Sequence, residues 1–226
     1  MNNNYCFCCL EPGFESFCPK CLKILFDGKK VSHVLSFTRP EFNEQKILLS
    51  TRLSISGIQI NHSLKLINNQ LTLTERDGQF ILKPISLGVY DNVDSVPANE
   101  HLTMQIAKQV FNINTAFNTL VRFKDGELAY LTKRFDLVDD NKKFLVEDFA
   151  QIAGKTAETD GVNYKYNYSY EGIANLIKKN VPAYSIEIEK YFKLILFNYL
   201  INNGDAHLKN FSLYQNTKYG DYLLTP

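Results

Sequence analysis

The sequence predicts an α+β chain with two lobes, the first rich in strands and the second helical. Three observations carry that expectation. Strand-like runs separated by turn dipeptides occupy residues 51–135. From about residue 147 the apolar residues fall mainly at helical spacing. All five cysteines of the 226-residue chain lie within the first 21 positions, which sets a small head before both lobes. Strands followed by helices, rather than strict alternation, is the order of an α+β fold.

Composition narrows the function. Hydrophobic residues make up 45% and charged residues 22%, which excludes a largely disordered chain. A net charge of +1 gives no global electrostatic case for nucleic acid or membrane surfaces. The apolar runs are short and interrupted, so no segment is expected to span a bilayer. Met1 to Tyr5 has neither a basic n-region nor an apolar h-region, so no secretory signal is expected and the location expected is the cytoplasm.

The head covers residues 1–26. Cys6-x-x-Cys9 and Cys18-x-x-Cys21 are two thiol pairs, with Pro12 and Gly13 supplying the turn between them. An odd cysteine count in this pattern reads as a metal site in a reducing compartment, not a disulfide framework. Four thiolates suit tetrahedral zinc and leave no open position for a substrate, so the zinc would be structural. Cys8 is a spare or an alternative ligand, and free thiols on a flexible tail are the competing reading.

Residues 27–50 are polar and weakly patterned and read as a connector, with a short helix over Glu41 to Leu49. Residues 51–135 form the β-rich lobe. Ser63 to Ile67 and Leu71 to Thr74 are strand-like and joined by Asn68-Asn69, and Gln79 to Lys83 alternates before Pro84 ends the strand. A helix is expected over residues 99–112, with Leu102, Ile106 and Val110 as its apolar stripe, widened by Ala107 and Phe111, and Asn99 as its N-cap. Ala116 to Phe135 reads as a hairpin around Lys124-Asp125-Gly126. Residues 136–226 form the helical lobe. Its clearest helix is Ile188 to Ile201, with Ile188, Phe192, Ile195, Leu196 and Tyr199 as the stripe, and it stops at Asn202-Asn203-Gly204.

Four stretches could carry chemistry. Asp205, His207, Lys209 and Asn210 crowd a short loop after that last helix. The Asp-x-x-x-x-Asn interval suits phosphoryl transfer, where the aspartate takes or orients a hydroxyl proton and the asparagine binds Mg²⁺. Read alone, each of these residues is as readily part of a helix cap and a solvated loop. Lys83, at the end of a strand, can reach nucleotide phosphates, although a solvent lysine at a strand edge looks the same. Ser54-Ile55-Ser56-Gly57-Ile58-Gln59 is a weak phosphate-loop signal. Thr132-Lys133-Arg134-Phe135-Asp136 closes the hairpin where a hinge strand could hold adenine.

Taken in chain order, these motifs resemble the HipA-like serine/threonine kinases, toxins of bacterial toxin–antitoxin systems, and most closely their short HipT type. The resemblance runs from about Thr51 to Pro226. It also takes in Gln79 to Pro84, Asn99-Glu100, Glu147 to Gln151 and Gly204 to Phe211. It implies a two-lobed protein-kinase-like fold and an ATP- and Mg²⁺-dependent kinase acting on a protein substrate. In this family the substrate is an aminoacyl-tRNA synthetase and the partner an antitoxin protein. Direct nucleic-acid or membrane binding is not expected.

By the same resemblance, Asp205 would be catalytic and Asn210 would bind Mg²⁺. Lys83 would bind phosphates, with His207 and Lys209 beside them. Lys133, Arg134 and Phe135 would hold adenine. Ser56, Gly57, Ile58 and Gln59 would lie in the phosphate loop, and Ser54 and Ser56 would be autophosphorylated. A phosphate there would repel the γ-phosphate and expel the loop. Short relatives carry a similar cysteine-rich head, which favours zinc at Cys6, Cys9, Cys18 and Cys21.

Three positions depart from the family pattern. Asn61 stands where a lysine is common, and Lys133 where a glutamate is common, so adenine contact there is expected to rest on backbone alone. The sequence stops at Pro226, before the second Mg²⁺-binding aspartate and the further helices of relatives. The helical lobe is therefore expected to be truncated and the chain a fragment. The alternatives are an inactive pseudokinase that binds an antitoxin, and a zinc-headed nucleic-acid binder using Lys20, Lys23, Lys29 and Lys30.

Overall fold

Alternating residues and tight turns build a five-stranded antiparallel sheet. The computed structural model describes residues 4–53, 62–86, 91–139, 142–215 and 220–226. The strands are β1 (His62–Ile67), β2 (Gln70–Leu73), β3 (Phe80–Pro84), β4 (Asn118–Arg122) and β5 (Leu128–Lys133). Their order across the sheet is β2-β1-β3-β5-β4. Asn68 and Asn69 both take positive φ to turn β1 into β2. Gly126 does so at the β4–β5 hairpin, with φ of 95° and its N–H donating to Phe123 O. Register places Phe80 opposite Leu64 on one side and Lys133 on the other, and Lys83 opposite Tyr130.

Contacts divide the chain into two compact units, one of residues 1–110 and 115–135, the other of residues 111–114 and 136–226. In the first, Leu64, Phe80, Leu82, Val121, Phe123 and Leu131 from the sheet are fully buried. Helix α1 (Pro19–Phe26) lays Leu25 and Phe26 on them, and the Phe26 and Phe80 rings lie 5.5 Å apart. The stretch expected as a connector is itself core. Val31, Leu35, Phe37 and Phe42 are buried with the sheet, and helix α2 runs over Arg39–Leu53. These apolar residues follow no single period, so periodicity could not reveal them.

Helix α3 (Val96–Gln109) starts earlier than expected, with Pro97 in its first turn. Its face is also rotated. Leu102 and Val110 of the expected stripe are exposed and Ala107 is buried as expected, while His101 and Gln105 are buried beside it. Hydrogen bonds described below hold Gln105 and Nδ1 of His101, while His101 Nε2 is buried without a partner among the described residues, so the expected stripe gave way to a buried polar one.

The second unit contains β6 (Leu137–Asp139) paired with β7 (Lys142–Lys143), and a three-stranded sheet of β8 (Val146–Asp148), β9 (Ser212–Gln215) and β10 (Tyr222–Leu224) in the order β10-β9-β8. Its helices are α4 (Phe149–Ile152), α5 (Ala157–Asp160), α6 (Tyr170–Asn180) and α7 (Tyr184–Leu200). Asp148 and Gln151 form a reciprocal capping box on α4. Phe149, Ile173, Ile177, Tyr191, Leu208, Phe211 and Leu213 make the core.

Helix α7 differs from its expected stripe. Tyr191 and Phe197 are buried, whereas Phe192, Leu196 and Tyr199 are exposed. The helix is apolar around most of its circumference, so a 3.6-residue period does not choose its inner face.

Candidate functional site

The loop after α7 is shaped by its asparagines. Asn202 takes φ of 57° to end the helix, and Asn203 N–H donates to Asn198 O at 2.8 Å. The chain then curls back on itself. Asn203 Oδ1 accepts from Asp205 N–H, and Asn210 Nδ2 donates to the Asp205 carbonyl at 2.6 Å. Leu208 and Phe211 are buried and anchor the loop, while Asp205 stays exposed. His207 Nδ1 accepts the Lys209 N–H, which leaves the proton of the neutral ring on Nε2, 3.8 Å from Asp205 Oδ1. Asp205, His207 and Asn210 are thus brought together, and Lys209 is an exposed neighbour on the same turn.

Tyr166 also belongs here and was missed in the sequence. Its hydroxyl donates to Asp205 Oδ1 at 3.0 Å, and its ring stands edge-on to His207 at 5.0 Å. The Lys165 carbonyl accepts the Leu208 N–H, so the tyrosine-rich segment 161–170 is stitched to the loop. That richness in Tyr and Asn was the available signal.

In the first unit, Lys83 on β3 meets Glu100 on α3, with Nζ 2.6 Å from Oε1. The ammonium also lies 5.4 Å from the Tyr130 ring centre, above its strand neighbour. Burial, then the Glu100 charge, pushes the Tyr130 phenol well above its ordinary range, so it stays neutral. From the sequence, Glu100 is named only in the Asn99-Glu100 motif and is given no partner. A lysine on the third strand held by a glutamate on the following long helix is the pairing that kinases use to aim phosphates.

Lys133 has another engagement. Its ammonium donates to Ile24 O at 3.1 Å and to Asp27 Oδ1 at 3.2 Å, closing the C-terminal end of α1. The Lys133 N–H donates to Phe117 O and the Arg134 N–H to Gln79 O. Phe135 follows directly, half-buried. Ser54, Ser56, Gly57, Ile58 and Gln59 lie outside the described residues, as does Asn61.

The four paired cysteines converge. The Sγ atoms of Cys6, Cys9, Cys18 and Cys21 all lie within 4.8 Å of one another, and Cys9 and Cys18 are 3.7 Å apart. Four sulfurs about 2.3 Å from one zinc sit roughly 3.8 Å apart, so the spacing fits the ion. A backbone N–H, that of Cys18, donates to Cys6 Sγ, and Cys18 and Cys21 stand at the N-terminus of α1, where the helix dipole favours thiolates. A hydrogen bond from the Cys21 thiol, helped by backbone N–H groups, pulls Cys6 down to about 4 against its burial. Burial pushes Cys9 up to about 11. The Cys21 thiol is raised, chiefly by that same bond to Cys6. Cys8 lies outside the quartet.

The fold, with the Lys83–Glu100 pair and the Asp205 loop, defines a protein-kinase-like chain. Residues 53–226 match the family model of the HipA-like C-terminal domain, and the chain belongs to that family. It is 29% identical over 221 residues to a protein of Haemophilus influenzae named "Putative kinase", covering 92% of this chain and 63% of that protein. It is 28% identical over 179 residues to "Putative kinase Y4dM" of Sinorhizobium fredii, covering 72% of this chain and 41% of the other. The chain therefore spans about two-fifths to just under two-thirds of the length of these curated relatives.

Among solved structures, it is similar to HipA of Shewanella oneidensis, seen there in a complex of HipA, HipB and operator DNA. The TM-score is 0.56 at 20% identity, over 80% of this chain and 48% of that one. It is also similar to the proinflammatory kinase CtkA of Helicobacter pylori, with a TM-score of 0.52 at 13% identity, over 72% of this chain and 51% of the other. At these identities the likeness speaks for the fold, which is the two-lobed kinase class that the sequence predicts. Among the described residues, no helix is long and apolar enough to cross a membrane.

Proposed function

We propose that this chain carries the nucleotide-binding and catalytic-loop parts of an ATP- and Mg²⁺-dependent serine/threonine protein kinase of the HipA/HipT type. It acts in the cytoplasm, with an antitoxin protein as partner. The observation that carries the reading is the contact of Lys83 Nζ with Glu100 Oε1, because no part of the sequence argument used that pairing. Lys83 receives nucleotide phosphate oxygens, and Glu100 holds the ammonium in place. Asp205 Oδ2, which has no hydrogen bond among the described residues, takes the proton of the substrate hydroxyl as its oxygen attacks the γ-phosphorus and the bond to the β,γ-bridging oxygen breaks.

The Asn210 amide nitrogen is spent on the Asp205 carbonyl, which leaves its Oδ1 for a cation. When bound, Mg²⁺ would neutralise charge on the transferred phosphoryl group. His207 and Lys209 stand beside the phosphates, and residues 133–135 flank the adenine. Ser54 or Ser56 is the autophosphorylation position, and the target class is an aminoacyl-tRNA synthetase. The thiol quartet holds a structural Zn²⁺, which the sulfur spacing supports.

Intact mass before and after Mg-ATP tests this reading, with Asp205→Ala as control. Phosphate on the wild type and none on the variant is expected. Equal phosphate on both would remove Asp205 from the chemistry. Phosphate on neither would turn the reading to a non-catalytic chain that binds the antitoxin.

A further inference from the structure

Helix α3 bears a polar row at four-residue steps: His101, Gln105 and Gln109. His101 Nδ1 meets Asn118 Oδ1 at 2.8 Å, and Gln105 Nε2 donates to the same oxygen at 3.1 Å. Gln109 Nε2 donates to Gln105 Oε1 and to the carbonyl of Cys9, both at 2.9 Å. His101, Gln105 and Asn118 are buried. One end of this row is therefore a residue of the thiol quartet, and the other is the immediate neighbour of Glu100.

Cys9 is the joint. Its sulfur belongs to the quartet and its carbonyl belongs to α3. Two residues before it in the same loop, the Phe7 carbonyl accepts from both Leu120 N–H and Thr119 Oγ1–H of β4, the strand that begins with Asn118. The loop that would close around a metal thus supplies two carbonyl anchors, one for α3 and one for β4. Buried polar rows of this kind have few alternative arrangements, because each donor left unpaired costs about 1–3 kcal/mol.

We propose that metal occupancy of the thiol quartet sets the placement of α3, and through Glu100 that of Lys83, with Gln109 as the positioning residue that links them. The inference rests on the reading of Lys83 as the phosphate-binding lysine and of the quartet as a zinc site. Ligation at Cys6 and Cys9 fixes the loop, the fixed Cys9 carbonyl holds Gln109, and the row holds the helix in register with β4. A head with empty thiols leaves the Cys9 carbonyl free to move, and α3 loosens with it.

Four preparations of the whole chain test this: wild type and Gln109→Leu, each zinc-loaded and chelator-treated. Gln109 is exposed, so the variant is expected to fold. Amide exchange across α3 and the Kd for Mg-ATP are read together, and a cobalt–thiolate spectrum reports the metal site.

Removing metal from the wild type should speed exchange in α3 and raise the Kd about tenfold, within the usual range for coupled sites. Gln109→Leu should still bind one metal with an unchanged thiolate spectrum, yet show fast α3 exchange and a raised Kd whether metal is present or not. Exchange in wild-type α3 that ignores the metal would overturn the proposal, as would an equal response in wild type and variant, or a chain that takes up no metal. If no preparation binds Mg-ATP, the kinase reading fails by itself, and α3 exchange alone decides the coupling.

Discussion

The Tyr166 hydroxyl donates to Oδ1 of Asp205, the same oxygen that His207 Nε2 approaches. Both neighbours sit on one edge of the carboxylate, and in the proposed function Oδ2 is the oxygen that meets the substrate. A phenol stitched to the loop of residues 203–210 therefore holds one edge of the aspartate. Tyr166→Phe keeps the ring against His207 and removes only this bond. Turnover is expected to fall by up to about tenfold, in line with about 1 kcal/mol for one hydrogen bond at a solvent-accessible site, with KM for ATP unchanged. Steady-state kinetics of the two proteins would show it, and an altered KM with normal turnover would count against it.

Lys83 and Glu100 should behave as a pair. The ion pair is part-exposed and contributes at most about 1 kcal/mol to stability, so neither Lys83→Ala nor Glu100→Gln should unfold the chain. Nucleotide binding is the sensitive readout. Lys83→Ala is expected to weaken Mg-ATP about tenfold or more, since a charge-assisted bond is worth about 1.5–3 kcal/mol, and Glu100→Gln by less. Equilibrium dialysis on both variants would check the order.

Acid should destabilise the first unit through its buried imidazole. Burial holds His101 below its ordinary value of 6.5, with the Asn118 contact and the nearby Cys6 opposing. The folded state therefore prefers neutral His101. Its contribution is fully present above the unfolded value and is lost as pH falls below about 6.5. His33, also depressed by burial and then by Arg122, acts in the same direction. Urea unfolding from pH 8 to pH 5 should show this slope, and His101→Gln should flatten part of it.

The clasp between Lys133 and α1 is open to a direct check. Lys133→Met keeps the aliphatic stem but gives up the bonds to Ile24 O and Asp27. A loss of about 1 kcal/mol is expected, or roughly 2–4 °C in Tm for a chain of this size. Phe123→Ala, deep in the core against Phe37 and Phe42, should cost about 3–5 kcal/mol by the same melt.

Much of the fold was legible because local chemistry decided it. The turns at Asn68-Asn69 and Gly126, the strands they join and the end of α7 at Asn202 follow from residues that tolerate positive φ. The loop from Asp205 to Asn210 was legible because its polar residues are close in sequence. The rest depends on partners distant in sequence. Nothing near Glu100 announces Lys83, and nothing near Tyr166 announces Asp205. The inner face of α3 differs from the expected one because Asn118 bonds both His101 Nδ1 and Gln105 inside, and a hydrophobic period cannot register hydrogen-bonded polar groups. On α7 the opposite held, with apolar residues on too many sides for the pattern to select.

The shared core of head and sheet has a consequence for anyone who cuts this chain. The family match begins at residue 53, yet Phe17, Leu25, Phe26, Phe37 and Phe42 all lie before it and are packed with Leu64, Phe80, Leu82 and Phe123. A polypeptide begun at residue 53 would carry one side of that sheet bare, an oily slab that invites self-association. The inherited segment and the cooperative folding unit therefore have different borders, and a recombinant piece trimmed to the former should precipitate rather than fold.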